Sequence, residues 1–119
     1  MSSSRDGKID YVELPARDPA ATRTFFETIF QWEFTEFGPD YLSFKDGATN
    51  GGFYRAETTA RVETGSALVV LYHSDLESLI ERVVEAGARI EKDIFSFPGG
   101  RRFHFLEPSG NEFAVWSDN

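Results

Sequence analysis

The sequence predicts an α+β fold made of two successive β-α-β-β-β modules. Two amphipathic helical patterns, each opened by a capping aspartate, occur at matching places in the two halves of the 119-residue chain. Each is preceded by one strand pattern and followed by three. A polar stretch without a consistent period, residues 56–65, separates the halves as a linker. A β-α-β-β-β unit covers one sheet face with its helix and leaves the other bare, so two units can enclose a cup that binds a small ligand.

The first module is expected at about residues 8–55, after a loose tail at residues 1–7. Asp18 is a good N-cap, and Pro19 suits the first position of a helix. Pro15 is expected to close the strand that precedes this helix. The predicted elements are a strand at Ile9–Leu14, a helix that ends near Phe30, and strands at Trp32–Thr35, Tyr41–Lys45 and Gly51–Arg55.

The second module is expected at about residues 66–117. Its first strand, Ala67–Tyr72, is continuously apolar, which predicts burial on both faces. Asp75 caps the second helix and Gly87 ends it. The last two strands flank a Glu-Pro-Ser-Gly turn, in which proline and glycine reverse the chain. The remaining predicted strands are Ala88–Phe95, Arg101–Leu106 and Asn111–Trp116.

Composition restricts the classes of partner. A net charge of -8 argues against nucleic acid, because phosphate binding depends on clustered lysine and arginine. The absence of cysteine excludes thiol catalysis and disulfides and agrees with a cytoplasmic location. No apolar run reaches the ~20 residues of a membrane span, so no membrane partner is expected. The length predicts one domain over residues 1–119, and the 12 phenylalanines are enough to line a pocket as well as a core.

Several segments together resemble a known family. They are the strand-to-helix passage YVELPARDPAATRTFFETIFQWEF, the run GGFYR and the final hairpin FPGGRRFHFLEPSGNEFAVW. In their order they resemble the vicinal oxygen chelate superfamily, which contains glyoxalase I, extradiol dioxygenases, and fosfomycin and bleomycin resistance proteins. The resemblance covers about residues 9–116. It implies paired modules that form a curved mixed sheet around a cup, and usually a homodimer whose sites can form across subunits.

The resemblance also implies positions for a divalent metal, held by His, Glu or Gln from the first and last strands of each module. The positions matched by offset are Tyr11, Gly51, Val69 and Ala114. None offers the imidazole or carboxylate that a transition metal prefers. We therefore expect no metal cofactor. A divalent metal on relocated ligands drawn from Glu13, His73 and His104 is the less favoured alternative.

Candidate site residues follow from strand alternation. Glu13 shares a face with Tyr11, so its carboxylate would point into an aromatic-lined cavity and is a candidate catalytic base. Phe103 and Phe105 are expected to pack under the helix, so His104, between them, is expected to face the cup. His104 is the second catalytic candidate. Ion pairing of Glu13 and ordinary packing of the aromatic residues are the simpler explanations. The candidate ligand-binding residues are Tyr11, Phe53, Leu71, His73, Arg102 and Trp116.

Three functions remain open at this point. The first is a small-molecule-binding protein of the glyoxalase and bleomycin-resistance type, without the usual metal site. The second is a metal-dependent lyase, isomerase or dioxygenase of the same superfamily with relocated ligands. The third is a non-catalytic dimerisation or partner-binding domain. The sequence does not decide whether the protein is an enzyme.

Overall fold

The computed structural model describes residues 3–119 and contains the β-α-β-β-β order twice, which confirms the predicted fold class. Residues 3–8 form turns, and residues 1 and 2 of the predicted tail lie outside the described residues. The first module comprises β1 (Tyr11–Ala16), α1 (Pro19–Phe30), β2 (Glu33–Glu36), β3 (Tyr41–Lys45) and β4 (Asn50–Arg55). The second comprises β5 (Val69–Tyr72), α2 (Leu76–Glu85), β6 (Arg89–Phe97), β7 (Gly100–Leu106) and β8 (Glu112–Ser117).

Each module builds its own four-stranded mixed sheet. The strand order is β1-β4-β3-β2 in the first sheet and β5-β8-β7-β6 in the second. The pairs β1/β4 and β5/β8 are parallel, and the other pairs are antiparallel. Pro15 does not close β1 as predicted but lies within it. Because β1 is an edge strand, it tolerates a residue without a backbone N–H.

The helices begin where the sequence predicted. A side-chain oxygen of Asp18 accepts a hydrogen bond from the backbone N–H of Ala21 at 3.1 Å. Asp75 caps α2 in the same way, accepting from the backbone N–H of Ser78 at 3.1 Å. Each cap satisfies a backbone donor that would otherwise lack a partner in the first helical turn. No helix among residues 3–119 is long and apolar enough to cross a membrane.

One hydrophobic core lies between the two sheets, and α1 connects them. The Phe26 ring is fully buried, with its centroid 5.7 Å from that of Phe53 in the first sheet and 5.0 Å from that of Phe113 in the second. Phe25 likewise lies 5.6 Å from Phe105 of the second sheet. The helix-covered faces of both sheets therefore meet in a shared core. Their bare faces point away from it, and a single chain does not bring them together.

The first strand of the second module is buried on one face only. Val69 and Leu71 pack against the core, whereas Val70 and Tyr72 are 44% and 53% exposed. The prediction of burial on both faces was wrong because β5 is an edge strand whose outer face is not covered by a helix. An apolar edge face of this kind is unusual in a monomer.

The linker is bonded to the second sheet along part of its length. It contains a short 3₁₀ turn at Val62–Thr64. The backbone N–H of Ala60 donates to the Asn111 side chain at 2.9 Å, and that of Val62 donates to the Glu112 carboxylate at 3.0 Å. Glu112 returns a backbone bond to Ala60 at 2.8 Å. These contacts place the linker beside the start of β8.

Candidate ligand-binding site

Two bare sheet faces carry most of the predicted site residues. Alternation along the strands assigns each residue either to the core or to a bare face. The first bare face consists of Tyr11, Glu13, Tyr41, Ser43, Gly52 and Tyr54. The second bare face consists of Val70, Tyr72, Phe95, Phe97, Arg102, His104, Ala114 and Trp116.

A chain of hydrogen bonds crosses the first bare face. The Tyr41 hydroxyl donates to Glu13 Oε2 at 2.8 Å, and the Tyr11 and Tyr41 hydroxyl oxygens are 2.5 Å apart. The Tyr41 hydroxyl has a single hydrogen, which it uses in the hydrogen bond to Glu13. The Tyr11 hydroxyl must therefore be the donor in the hydrogen bond between the two tyrosines. Partial burial and the hydrogen bonds with Tyr11 and Glu13 raise the pKa of Tyr41, so its hydroxyl stays protonated. Tyr11 Oη is left able to accept a hydrogen bond from a ligand.

Gly52 forms the floor beneath the two tyrosines. A Cβ atom at this position would lie 2.1 Å from the Tyr41 hydroxyl oxygen and 2.8 Å from that of Tyr11. Real carbon atoms do not approach oxygen this closely, so the absent side chain is what allows the two hydroxyl groups to meet over β4.

We expect Gly52→Ala to lower the free energy of unfolding by about 1–3 kcal/mol, the usual cost of overpacking. The double variant with Tyr41→Ala checks the cause, since it removes the side chain that the new methyl group would strike. Urea unfolding should give a smaller cost for Gly52→Ala in the Tyr41→Ala background than in the natural chain. Equal costs in the two backgrounds would show that the hydroxyl pair does not occupy this position.

A buried histidine-glutamate pair lies on the second bare face. His104 Nδ1 is 2.8 Å from Glu112 Oε2, and both side chains are almost fully buried. Burial raises the pKa of Glu112, but the hydrogen bonds from His104 and from the Val62 N–H have a larger opposite effect. The pKa of Glu112 is therefore lowered overall. The ionised carboxylate can only accept, so His104 donates through Nδ1. Its Nε2 is buried and has no hydrogen-bond partner among residues 3–119.

Aromatic side chains form a wall on the same face. The Trp116 ring lies 5.4 Å from Tyr72 in an edge-on arrangement and 6.4 Å from Phe97, measured between centroids. The Arg102 guanidinium lies 5.4 Å from the Phe95 centroid and 5.6 Å from that of Phe97. A hollow of about 260 Å³ is lined by Val70, Phe97, Arg102 and Trp116. It is open to solvent on the side away from the core.

The structure brings the predicted site residues together in two groups. Tyr11 and Glu13 share the first bare face, as alternation predicted. Arg102, His104 and Trp116 share the second bare face. Because the two faces point away from the common core, the groups do not meet within one chain.

The structure corrects the predicted facing of Phe53 and Leu71 and gives His73 a local hydrogen-bond partner. Phe53 is fully buried beside Phe26, and Leu71 packs against the same core, so neither faces a cup. In both strands, the register in the structure differs by one residue from the register expected from the sequence. A shift of one residue exchanges the two faces of a strand. His73 lies beyond the end of β5, where its Nδ1 accepts a hydrogen bond from the backbone N–H of Asp75 at 3.0 Å. That bond ties the His73 ring to the start of α2.

The same register applies to the positions at which the resemblance placed metal ligands. Gly51 and Val69 face the core, and their neighbours on the bare faces are Gly52 and Val70. Neither residue of either pair can ligate a metal through a side-chain imidazole or carboxylate, and the same holds for Tyr11 and Ala114. Within residues 3–119 no cluster of three His, Cys, Asp or Glu side chains could hold a metal ion. The four positions matched by the resemblance thus present no imidazole or carboxylate to a metal within one chain.

A buried carboxyl group at the junction of the modules was not predicted from the sequence. Glu107, in the turn between β7 and β8, is 2% exposed. It accepts hydrogen bonds from the Thr22 hydroxyl at 3.1 Å, the Asn111 amide at 3.2 Å and the backbone N–H of Ser109. Burial outweighs these bonds and raises the pKa of Glu107 to about 7. The clustering of Glu, Ser and Asn in one turn was the available signal.

This turn fastens the second module to the first. The Asn111 amide also donates to the Pro15 carbonyl at 2.5 Å, and Arg17 Nε donates to the Ser109 carbonyl at 3.2 Å. The Ser109 hydroxyl accepts from the Asp18 backbone N–H at 3.0 Å. The turn thus contacts the corner between β1 and α1, and its polar groups serve packing between modules.

Comparison with known proteins gives a family match. Residues 8–115 match the model of the Glyoxalase/Bleomycin resistance protein/Dioxygenase superfamily. Among curated proteins, no relative matches the chain significantly.

Solved structures with the same architecture share little sequence with this chain. A glyoxalase/bleomycin resistance protein/dioxygenase family enzyme from Burkholderia phytofirmans is 18% identical, with a TM-score of 0.77 over 93% of this chain and 100% of that one. A lactoylglutathione lyase from Agrobacterium tumefaciens is 18% identical, with a TM-score of 0.70 over 93% of each chain. A fosfomycin resistance protein from Listeria monocytogenes, solved with Mn(II), is 16% identical, with a TM-score of 0.76 over 92% and 89%. At these identities the likeness shows the fold alone.

Proposed function

The chain belongs to the glyoxalase/bleomycin resistance protein/dioxygenase superfamily, and on that premise we propose that it binds a small planar molecule in a cup completed by a second copy, without the usual metal. The observation that carries the proposal is the outward direction of both bare faces. Each has groups suited to a ligand, yet neither forms an enclosed site alone. Pairing the first bare face of one chain with the second bare face of another would enclose two equivalent cups.

Exposed apolar surface supports this pairing. Among the large hydrophobic side chains that are exposed, four lie on the bare faces: Tyr11 and Tyr54 on the first, Val70 and Tyr72 on the second. Exposed large apolar side chains that share one sheet face are typical of association sites. The first strands of both sheets, β1 and β5, also have one unpaired edge each.

The two faces would make different contributions to binding. On the second face, Trp116 and Phe97 offer aromatic surface for a planar ring. On the first, Tyr11 Oη can accept a hydrogen bond, while Glu13 holds Tyr41 in place through its carboxylate. Glu13 thus acts here as a positioning residue, and proton transfer by Glu13 or His104 is not required for binding.

The oligomeric state tests the first half of the proposal. We expect the natural chain to sediment as a dimer and Tyr72→Glu to sediment as a monomer, because a charge on the edge strand of the second bare face would be buried at the interface without a partner. Val84→Glu is the matched control, since Val84 is exposed on α2 and lies outside both bare faces. A natural chain that stays monomeric at millimolar concentration would contradict the proposal.

Ligand binding tests the second half. Isothermal titration with bicyclic aromatic probes should give one site per chain for the natural protein, and Trp116→Ala should lose most of the affinity because it removes the aromatic wall. The monomeric Tyr72→Glu variant should also lose binding. Trp32→Phe is the control, because Trp32 is a tryptophan of the buried core rather than of a bare face. Binding that survives both Trp116→Ala and Tyr72→Glu would place the ligand elsewhere.

A metal-dependent lyase, isomerase or dioxygenase is the second candidate, favoured by one observation. Nε2 of His104 is a buried imidazole nitrogen beneath the second bare face that has no hydrogen-bond partner among residues 3–119, and its lone pair could bind a metal. Across a dimer cup, Glu13 of the other chain could supply a carboxylate. Elemental analysis of protein purified without chelator separates the candidates: stoichiometric Mn, Fe, Ni or Zn that is lost in His104→Ala supports this one, and its absence supports the metal-free cup.

A further inference from the structure

The geometry points to an anionic group on the ligand, bound by Arg102 beside the aromatic wall. This inference rests on the proposed function, because it assigns the chemical class of the molecule in the cup. A planar ring with one oxyanion, such as an aromatic carboxylate, fits the neighbourhood of Arg102.

Arg102 has no carboxylate partner among residues 3–119, although the chain carries a net charge of -8. Its guanidinium instead lies within 6 Å of two aromatic rings, at 5.4 Å from Phe95 and 5.6 Å from Phe97. Five of the other eight arginines are paired with acidic side chains, namely Arg5, Arg23, Arg55, Arg61 and Arg101. Arg17 and Arg82 donate to the backbone carbonyls of Ser109 and Ile29. Arg89 is exposed to solvent and, like Arg102, has no acidic partner among the described residues. Arg102 differs from Arg17, Arg82 and Arg89 because its guanidinium lies against two aromatic rings on the second bare face, with a buried Nε that has no hydrogen-bond partner among residues 3–119.

The adjacent residue shows the contrast most directly. Arg101 points to the opposite side of β7, where its guanidinium makes two bonds to Glu77, at 2.5 and 3.2 Å. It also donates to the terminal residue Asn119. Alternation along the strand thus directs one arginine to a structural ion pair and the other to the second bare face.

The state of the Arg102 side chain favours an oxyanion. Its Nε is buried and has no hydrogen-bond partner among the described residues. A buried donor without an acceptor is unfavourable, and a charged acceptor satisfies it best. The guanidinium also lies against the Phe95 and Phe97 rings, and packing of this kind lowers the side-chain entropy that is lost when an arginine binds a ligand.

A second cation lies at the same ring. Lys92 Nζ is 6.0 Å from the Phe95 centroid, and Lys92 pairs with His104 in the β6/β7 register. On this face, Glu112 is already engaged by His104 at 2.8 Å. Two cations, Lys92 and Arg102, therefore flank the Phe95 ring, and together they favour an anion at this place.

The hollow defines the rest of the ligand. Val70, Phe97 and Trp116 line it together with Arg102, in a volume of about 260 Å³. The apolar lining suits a ring, and the guanidinium at its margin suits a carboxylate or a phosphonate. Both are oxyanions that an arginine can bind with two parallel hydrogen bonds.

Three probes of one shape test the inference: 2-naphthoate, 2-naphthylphosphonate and the uncharged 2-naphthamide, titrated calorimetrically into the natural protein. We expect one or both oxyanions to bind roughly 10- to 100-fold more tightly than the amide. The tighter of the two identifies the anion. In Arg102→Gln this preference should vanish, while the matched control Arg101→Gln should retain it.

One further measurement keeps the result decisive. The ¹⁵N signal of Arg102 Nε should shift on oxyanion binding, which reports contact even if Arg102→Gln folds poorly. Equal affinity for amide and oxyanion, or a preference unchanged in Arg102→Gln, would overturn the anionic class and leave the proposed cup standing. If the chain is monomeric and binds none of the probes, the proposed function itself fails, and the inference with it.

Discussion

Replacing Phe26 by alanine should lower the free energy of unfolding by about 3–5 kcal/mol, the range found for large aromatic side chains in a close-packed core. Phe26 is fully buried and contacts both sheets through Phe53 and Phe113. Its ring also stacks on Trp32, with centroids 4.4 Å apart. The cavity left by alanine would lie between the modules, where neither sheet can close it without moving away from the other.

Urea unfolding monitored by circular dichroism and by tryptophan fluorescence measures this cost. Since Phe26 links the two sheets, both signals should change at one midpoint in the natural protein. Phe37→Ala is the control, because the Phe37 ring is 62% exposed and should cost little. A loss for Phe26→Ala no larger than for Phe37→Ala would mean that the modules do not share a core.

Replacing Glu107 by glutamine should stabilise the protein at pH 8 and have much less effect at pH 5. Burial raises the pKa of the Glu107 carboxyl to about 7, from 4.5 in the unfolded chain. Between these two values the folded protein holds a proton that the unfolded chain has released. Stability therefore falls as the pH rises from about 4.5 to about 7, and stays lower above that.

The size of this effect follows from the shift. At roughly 1.4 kcal/mol per pKa unit, the folded state would be about 3 kcal/mol less stable at pH 8 than it would be with a neutral side chain at this position. Glutamine remains neutral and can accept from the Ser109 N–H while donating to the Thr22 hydroxyl. Its NH₂ group cannot accept from the Asn111 amide, so the loss of that bond reduces the gain at pH 8 by roughly 1 kcal/mol. The gain from Glu107→Gln should therefore grow with pH up to about 8.

Urea unfolding at pH 5, 6, 7 and 8 gives the profile for both proteins. Glu57→Gln serves as the matched control, because Glu57 lines, together with Glu107, one cavity beside the turn between β7 and β8, and its side chain is exposed. Its difference from the natural chain should not vary with pH. If the advantage of Glu107→Gln is constant from pH 5 to 8, the carboxyl is ionised throughout and the burial argument is wrong.

Local pattern was a good guide to the elements and a poor guide to their faces. Asp18 and Asp75 identified both helix starts, since a cap is made within a few residues of itself. Leu71 and Phe53 were assigned to the wrong side of their strands. A shift of one residue in the assumed register leaves the strand prediction intact and exchanges its two faces.

The residues of the site also differ in how far the sequence could predict them. Tyr11 and Glu13, two residues apart on one strand, could be placed together by alternation alone. Their partner Tyr41 comes from another strand, and the room for its hydroxyl depends on Gly52 in a third. Such a contact requires the order and register of the sheet, which depend on turns and core packing along the whole module.

By itself, the sequence determined the repeated order of elements, the helix caps, the family and the lack of ligating side chains at the usual metal positions. These properties are local or depend only on residue identity. Tertiary structure decided that the sheets share one core through Phe26, that the bare faces point outward, and that Arg102 lies unpaired while Arg101 does not. Those outcomes depend on which surfaces bury one another, and apolar burial is not directional, so no short sequence pattern specifies it.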